Sequence, residues 1–267
     1  NDISKPLALP DHLSDATFVS TFQLFSHAEV ESLRIGGAIL RDCLQHVASL
    51  VRSGVTTASL DSAAETFIRD RGGIPAFKGY HGFPATLCIS VNEEVVHGIP
   101  GERVLKQGDI VSLDGGVLYD SLNTDACITV PVGEVDSEVS EFLACVSQTL
   151  EDVVRDVIRA GIPVGTLSSF IQDRIQKAGY SVVRELTGHG LGSQLHQYPD
   201  IPNFGVQGKG PLLPAGTLIA VEPIATNGKA GIKTLDDGWT ICTKDRSLAC
   251  HFEHTLLITK GGCEVIA

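Results

Sequence analysis

SLDGGVLYDSLNTDACI, residues 112–128, reads as two strands folded back on each other, and it carries two aspartates where apolar side chains belong. The flanking runs Ile110–Leu118 and Asn123–Val130 are rich in Val, Ile, Leu and Thr, the composition of half-buried strands. A short turn near Tyr119–Asp120 makes them an antiparallel hairpin. With a two-residue turn there, paired residue numbers sum to 239, so Asp114 and Asp125 stand directly opposite each other. A four-residue loop sets them on a diagonal of the same face. Opposed side chains bring their Cβ atoms to about 4.5–5.5 Å. Two ionised carboxylates that close repel, and burial makes the repulsion worse. Compensation has to come from a shared proton, an Arg or Lys, or a metal ion, and the hairpin itself supplies no Arg or Lys. On the hairpin alone a metal ion, a shared proton and a shifted register with one Asp exposed at the turn all stay open.

The rest of the chain has an internal echo. GVTTASLDSAAETFIRDRG (54–72) and GIPVGTLSSFIQDRIQKAG (161–179) align at an offset of 107 through Gly54/Gly161, Leu60/Leu167, Ile68/Ile175 and Gly72/Gly179. Each reads as a Gly, a Ser/Thr-rich cap, an amphipathic helix and a terminating Gly. GDIVSLDGG (108–116) precedes GTLIAVEPI (216–224) by 108 residues, which sets Asp114 opposite Glu222. Chance likeness between amphipathic helices is the alternative. Two similar halves, about 50–148 and 157–260, predict an α+β fold with a pseudo-twofold axis. Ahead of them, HAEVESLRIGGAILRDCLQHVASLV from His27 has apolar residues at helical spacing. Residues 1–25, with KPLALP and no helical period, are expected to form a flexible extension, and 26–267 a single domain.

Composition narrows the class. The 267 residues are 43% apolar and 19% charged, as in an ordinary globular protein. A net charge of −12 argues against a nucleic-acid-binding face, which needs Lys and Arg over phosphates. No run approaches the length of a membrane-spanning helix, and the first residues lack the basic and apolar regions of a signal peptide. The seven cysteines are odd in number and form no CxxC pair, which fits reduced thiols in a cytosol-like compartment.

Further acids and imidazoles interrupt apolar runs. RELTGHGLGSQLHQYP (184–199) sets His189 between two glycines, with His196 seven residues on. LIAVEPIA (218–225) holds Glu222 just before Pro223. In ACHFEHTLLIT (249–259) Glu253 and His254 face opposite sides of a strand. NEEVVHGIPG (92–101) ends a strand at His97. Taken singly, each has a structural reading as a strand-end or packed residue. Together, Asp114, Asp125, Glu222, Glu253 and His189 form a carboxylate-rich set that suits two divalent ions such as Mn, Fe, Co or Zn. Such a pair activates water and polarises a carbonyl, the chemistry of amide or ester hydrolysis.

From His27 onward the chain resembles the type I methionine aminopeptidases of the pita-bread fold. The likeness runs through GYHGFPATLCISVNEEVVHGIPG, LKQGDIVSLDGG, SVVRELTGHGLG, VEPIATNGK, DGWTICTKDRSLACHFEHTLLIT and GGCEVI. It implies a central antiparallel sheet with helices on its outer face. It also implies metal-dependent removal of the N-terminal methionine from nascent proteins whose second residue is small, by a cytoplasmic monomer working near the ribosome. By the same resemblance, Asp114 chelates one ion, Asp125 and Glu253 bridge two, and His189 and Glu222 hold the second. Glu222 also accepts a proton from the attacking water, and His97 and His196 flank the scissile peptide. Tyr80, Phe83, Cys88 and Trp239 line the methionine pocket.

The chain departs from the family at several points. Leu195 stands where Phe is frequent and would widen the pocket, and Phe77 stands where Cys or a small or aromatic residue is common. Leu122-Asn123-Thr124-Asp125-Ala126 replaces a His-Gly-Asp-Thr run, and Gln197-Tyr198-Pro199 follows His196 where acids are common. The zinc-finger extension of eukaryotic relatives is absent from this sequence, so ribosome docking by that route is not expected. An X-Pro aminopeptidase or prolidase-type enzyme, and a non-catalytic pita-bread binding module, are the competing readings.

Overall fold

Ser26 and Glu29 close a capping box that starts the first helix. The Glu29 carboxylate accepts from the Ser26 backbone N–H at 2.8 Å, and Ser26 Oγ accepts from the Glu29 N–H at 3.4 Å. The computed structural model describes residues 21–267; the expected extension falls outside the described residues except for 21–25. In the first half, helices α1 (His27–Leu50) and α2 (Thr57–Asp70) precede β1 (Ile74–Pro75), β2 (Leu87–Val91), β3 (Glu94–Val96), β4 (Ile110–Tyr119) and β5 (Leu122–Pro131). In the second, α3 (Ser137–Asp156) and α4 (Val164–Lys177) precede β6 (Ser181–Val182), β7 (Thr187–Gly190), β8 (Gln197–Pro202), β9 (Leu218–Val221) and β10 (Ile224–Thr226). That half continues through β11 (Ile232–Thr234), β12 (Ile241–Thr243), β13 (Ala249–His251), β14 (His254–Ile258) and β15 (Cys263–Val265).

Gly72 and Gly179, at φ 80° and 91°, end α2 and α4 in the left-handed conformation that a side chain would disfavour. The starts of these two helices differ. Thr56 Oγ1 caps α2 by accepting from the Ser59 N–H at 3.2 Å. Pro163 precedes α4 and offers no side-chain cap. There the Val164 and Gly165 N–H groups donate to the carbonyls of Pro211 and Lys209, at 2.9 and 2.8 Å, so a neighbouring loop satisfies the helix start.

β4 is the hub of the first half, with β5 on one edge and β1 and β2 on the other, all antiparallel. The second half builds a five-stranded sheet in the order β15-β14-β9-β7-β8, flanked by β13-β10-β6 and β11-β12-β3. Strand alternation sorts side chains between the two faces. On β4, Val111, Leu113 and Val117 pack with α1 and α2 in one core, while α3 and α4 cover a second core over β9, β13 and β14. Helices therefore clothe the outer face, and the even-numbered residues of β4, including Asp114, point to the inner one.

The hairpin register corrects the sequence-based expectation. The turn residues are Asp120 and Ser121, both with positive φ (48° and 64°), so Tyr119 pairs with Leu122 and paired numbers sum to 241. A turn at Tyr119–Asp120 would force a bulky aromatic into that conformation; moving it by one residue places an Asp there instead. Asp114 consequently faces Cys127, and Asp125 faces Gly116. The two aspartates are diagonal neighbours on one face, not directly opposed.

The halves are stitched at one seam. Cys127 and Glu253 exchange backbone hydrogen bonds of 3.3 and 2.9 Å. Asp125 donates its N–H to Thr255 Oγ1 at 2.9 Å, and that hydroxyl donates to the Asp125 carbonyl at 2.6 Å. The C-terminal residues then tuck against α1: a Cβ on Gly37 would collide with the Ile266 carbonyl, which also accepts from Arg41. Gly37→Ala should therefore overpack this contact and lower the stability of the folded chain by about 1–3 kcal/mol, measured as a shift in urea midpoint at unchanged slope.

Candidate metal centre and active-site cleft

The seam brings together acids from both halves. Asp114 comes from the inner face of β4 and Asp125 from β5; Glu222 directly follows β9, and Glu253 lies between β13 and β14. His189 sits on β7, paired with Ala220 of β9. Ligand atoms of Asp125, His189 and Glu253 lie within 4.8 Å of one another. His189 Nε2 is 3.9 Å from Asp125 Oδ2 and 4.0 Å from Glu222 Oε1. All five residues that the sequence singled out as ligands line or adjoin one cleft of about 260 Å³.

The donor set fits a divalent cation. Asp114 Oδ1, Asp125 Oδ1 and Glu253 Oε1 are buried without a hydrogen-bond partner among the described residues, and no Lys or Arg lines the cleft. Burial, reinforced by the neighbouring carboxylates, pushes Asp125, Glu222 and Glu253 well above the usual carboxylate range. Burial likewise pushes His189 down to about 4, so its ring is neutral at pH 7. His189 Nδ1 lies 3.0 Å from the Gly190 carbonyl, which can only accept, so Nδ1 carries the hydrogen and Nε2 offers its lone pair to the acids. Oxygen-rich donors with one imidazole, held in a low-dielectric space without a cationic side chain, make a divalent-metal site.

The cleft has an apolar end. Phe77, Phe83, Cys88 and Leu195 are buried in one cluster with Tyr80 and Trp239 at its border. Phe83 meets Trp239 edge-on at 5.2 Å. Tyr80, Phe83, Cys88 and Trp239, expected from the resemblance to line the methionine pocket, line this cleft, and Phe77 and Leu195, noted as departures, belong to the same wall.

His97 and His196, expected from the resemblance to flank the scissile peptide, line the same cleft. His196 lies beside His189 with ring centroids 4.2 Å apart and planes tilted by 50°, and its Nδ1 is 3.1 Å from the Tyr80 hydroxyl. One side of the His196 ring is open to cleft water, but its depth in the protein and the nearby imidazoles of His189 and His97 push its pKa well below the ordinary value. His97 holds a left-handed φ of 59°, a conformation that costs a non-glycine residue about 1–3 kcal/mol and occurs where a site needs it. The next residue secures it: Gly98 donates to Ser90 Oγ at 3.1 Å and accepts from the Ile89 N–H at 2.9 Å.

Several supporting residues carried no signal in the sequence. Buried His251 places Nε2 3.6 Å from Asp114 Oδ2, behind the cluster. Asp237 fixes the loop under Trp239 by accepting from the Trp239 and Thr240 N–H groups at 2.9 and 2.8 Å. Asp61 on α2 accepts from the Thr86 and Leu87 N–H groups at 3.0 and 2.8 Å, just ahead of Cys88. The only hint of any of these was an acid or imidazole beside a motif already noted.

An inner-face carboxylate cluster and an adjoining apolar pocket on this two-part sheet define a pita-bread metallohydrolase. The model of metallopeptidase family M24 matches residues 31–260, and the chain belongs to that family. A methionine aminopeptidase of Clostridium perfringens is 42% identical over 240 residues, covering 89% of this chain and 95% of the relative. Methionine aminopeptidase 1 of Bacillus subtilis is 40% identical over 238 residues, covering 89% and 96%. The crystal structure of the methionine aminopeptidase from Thermotoga maritima superposes with a TM-score of 0.91 at 37% identity, covering 92% of this chain and 99% of that one. A prolidase from Pyrococcus furiosus shares the fold at 21% identity and a TM-score of 0.75, with 91% and 64% covered.

Metal uptake must displace protons that burial holds on Asp125, Glu222 and Glu253. Groups raised in the folded metal-free protein stay protonated below their folded pKa, so falling pH opposes binding and rising pH favours it. Titration calorimetry with Mn2+ in two buffers of different ionisation enthalpy should show proton release, and affinity should drop by at least about 10-fold from pH 8 to pH 6. Asp125→Asn should bind less than one equivalent by metal analysis, because an amide replaces the carboxylate at the centre of the cluster.

Proposed function

We propose that this chain is an aminopeptidase that removes the N-terminal methionine of nascent polypeptides whose second residue is small. The observation that carries the reading is a narrow apolar pocket, walled by Phe77, Phe83, Cys88 and Leu195, opening beside the Asp125–His189–Glu253 cluster. An unbranched thioether side chain suits such a pocket, since it adapts to irregular apolar space and contacts aromatic edges favourably. Leu195 is smaller than the Phe frequent in the family, and Phe77 brings aromatic bulk to the same wall. The restriction to small second residues follows from the family resemblance.

Asp114, Asp125, His189, Glu222 and Glu253 would together hold the two divalent ions. Bound there, divalent ions supply Lewis acidity that makes water nucleophilic at neutral pH and polarises the scissile carbonyl. Glu222, whose burial raises its proton affinity, takes the proton from the attacking water. His196 is neutral; with Nδ1 accepting from the Tyr80 hydroxyl, its Nε2–H donates to the carbonyl oxygen as charge develops there. His97, set by its left-handed backbone on the other side, steadies the scissile nitrogen. The enzyme acts as a monomer in the cytoplasm on chains emerging from the ribosome. Among the described residues no helix is long and apolar enough to cross a membrane, and the acidic chain has no expected affinity for nucleic acid.

With Mn2+ or Co2+, Met-Ala-Ser should be cleaved with kcat/KM at least about 100-fold above that of Met-Lys-Ser. Ala-Pro-Ser should stay intact in the same assay; its hydrolysis in place of Met-Ala-Ser would establish the proline-directed reading instead. His196→Ala should keep its full metal content while kcat falls about 100-fold, the loss typical of removing one donor to a developing oxyanion.

A further inference from the structure

The loop that joins β7 to β8 carries Leu195 and His196; Leu191 and Leu195 are buried near its ends, and its Gly192-Ser193-Gln194 middle has no apolar anchor. It is held instead by a short segment just ahead of α1. Gln23 Oε1 accepts three hydrogen bonds from it: from the Ser193 N–H at 3.1 Å, the Ser193 hydroxyl at 3.0 Å and Gln197 Nε2 at 3.0 Å. Gln197 relays the contact into the loop. Its Nε2 also donates to the Leu191 carbonyl at 3.2 Å, and its Oε1 accepts from the Gln194 N–H at 3.2 Å.

The segment itself is pinned on both sides of Gln23. Phe22 meets Tyr198 edge-on at 4.9 Å, and the Phe25 N–H donates to the Gly216 carbonyl at 3.2 Å. The Phe25 ring lies so close to Gly192 that a Cβ there would collide with it, and Gly192 takes φ 145°. On its other side Gly192 is gripped by Asn123 of β5, whose N–H and Nδ2 both donate to the Gly192 carbonyl at 2.8 Å. The loop is thus clamped between the pre-helical segment and the strand that carries Asp125.

We propose that Gln23 is a positioning residue that sets His196 and Leu195 relative to the metal donors through the 191–197 loop. This rests on the role assigned to His196 above. Ser193 and Gln23 reach solvent, so water replaces the lost partners when Gln23 is removed, and the fold is little affected. What water does not replace is the fixed geometry. One acceptor tying three donors holds a loop in a single arrangement, and small misplacements of a group acting on the transition state are expensive in rate. The effect therefore falls on turnover and not on metal content or unfolding.

The test compares Gln23→Ala and Gln23→Glu with the parent in the full-length, Mn2+-loaded enzyme. Gln23→Ala should lower kcat on Met-Ala-Ser about 10-fold with KM within about threefold, at unchanged metal content and melting temperature. Hydrogen exchange should quicken in residues 191–197 and stay unchanged in β4 and β5. Gln23→Glu keeps the acceptor oxygens and should recover at least about half of the parent kcat. Unchanged exchange at Ser193 and its neighbours in Gln23→Ala, an unchanged kcat, or a Glu variant as impaired as the Ala variant would each overturn the proposal. The His196→Ala enzyme in the same assay separates the two ideas. If it turns over normally, the assignment of His196 is wrong; if it is inactive while Gln23→Ala is fully active, only the role of Gln23 fails.

Discussion

Buried negative charges cannot share a small space unless something positive joins them, and this constraint organises the protein. Asp114, Asp125, Glu222 and Glu253 converge in a cleft that, among the described residues, has no lysine or arginine on its wall. Desolvation alone would drive protons onto such a set, and mutual repulsion adds to the effect. A divalent ion resolves the conflict and converts an unfavourable cluster into a reactive one. Without that ion the arrangement is a store of unfavourable electrostatics, and the surrounding sheet must be rigid enough to keep the acids from drifting apart.

Rigidity comes from the seam between the halves. Thr255 clamps the backbone of Asp125 in both directions, and Glu253 is bonded through its own backbone to Cys127, one strand away from Asp114. Asp125 and Glu253 are therefore anchored by hydrogen bonds at their own backbone, and only their side chains remain to be placed. The same economy appears around the cleft. His97 is held in a strained backbone, Trp239 rides on a loop capped by Asp237, and His189 is oriented by the carbonyl that follows it. Pocket and donors are thereby brought to one cleft, so under the proposed function a substrate whose first side chain filled the apolar end would present its peptide bond to the acids and imidazoles.

The division into halves explains why so much was readable along the chain. An aspartate or glutamate in an apolar strand is conspicuous because burial penalises it, so Asp114, Asp125, Glu222 and Glu253 stood out before any geometry was known. Gly72 and Gly179 marked helix ends because few other residues tolerate their backbone angles. The hairpin itself was evident, and the shared face of its two aspartates survived a turn displaced by one residue, because that shift moves paired numbers by two and preserves side-chain parity. The directly opposed arrangement did not survive. Turn position depends on which residues accept positive φ, a finer discrimination than strand composition supplies.

The amino-acid sequence by itself marked Asp114, Asp125, Glu222, Glu253 and His189 as candidate donors and laid down the helix-then-strands plan of each half, both through local patterns: alternation, capping, and polar residues in apolar runs. The residues of the apolar wall were expected only from the resemblance to methionine aminopeptidases. Tertiary structure alone decided the register of the hairpin, the approach of His251 to Asp114, and the grip of Gln23 on a loop 170 residues further on. Those contacts join side chains far apart in the chain, and a single buried imidazole or half-buried glutamine carries no periodicity to announce its partner. Their identity emerges only when the folding of both halves around one seam has closed the distance.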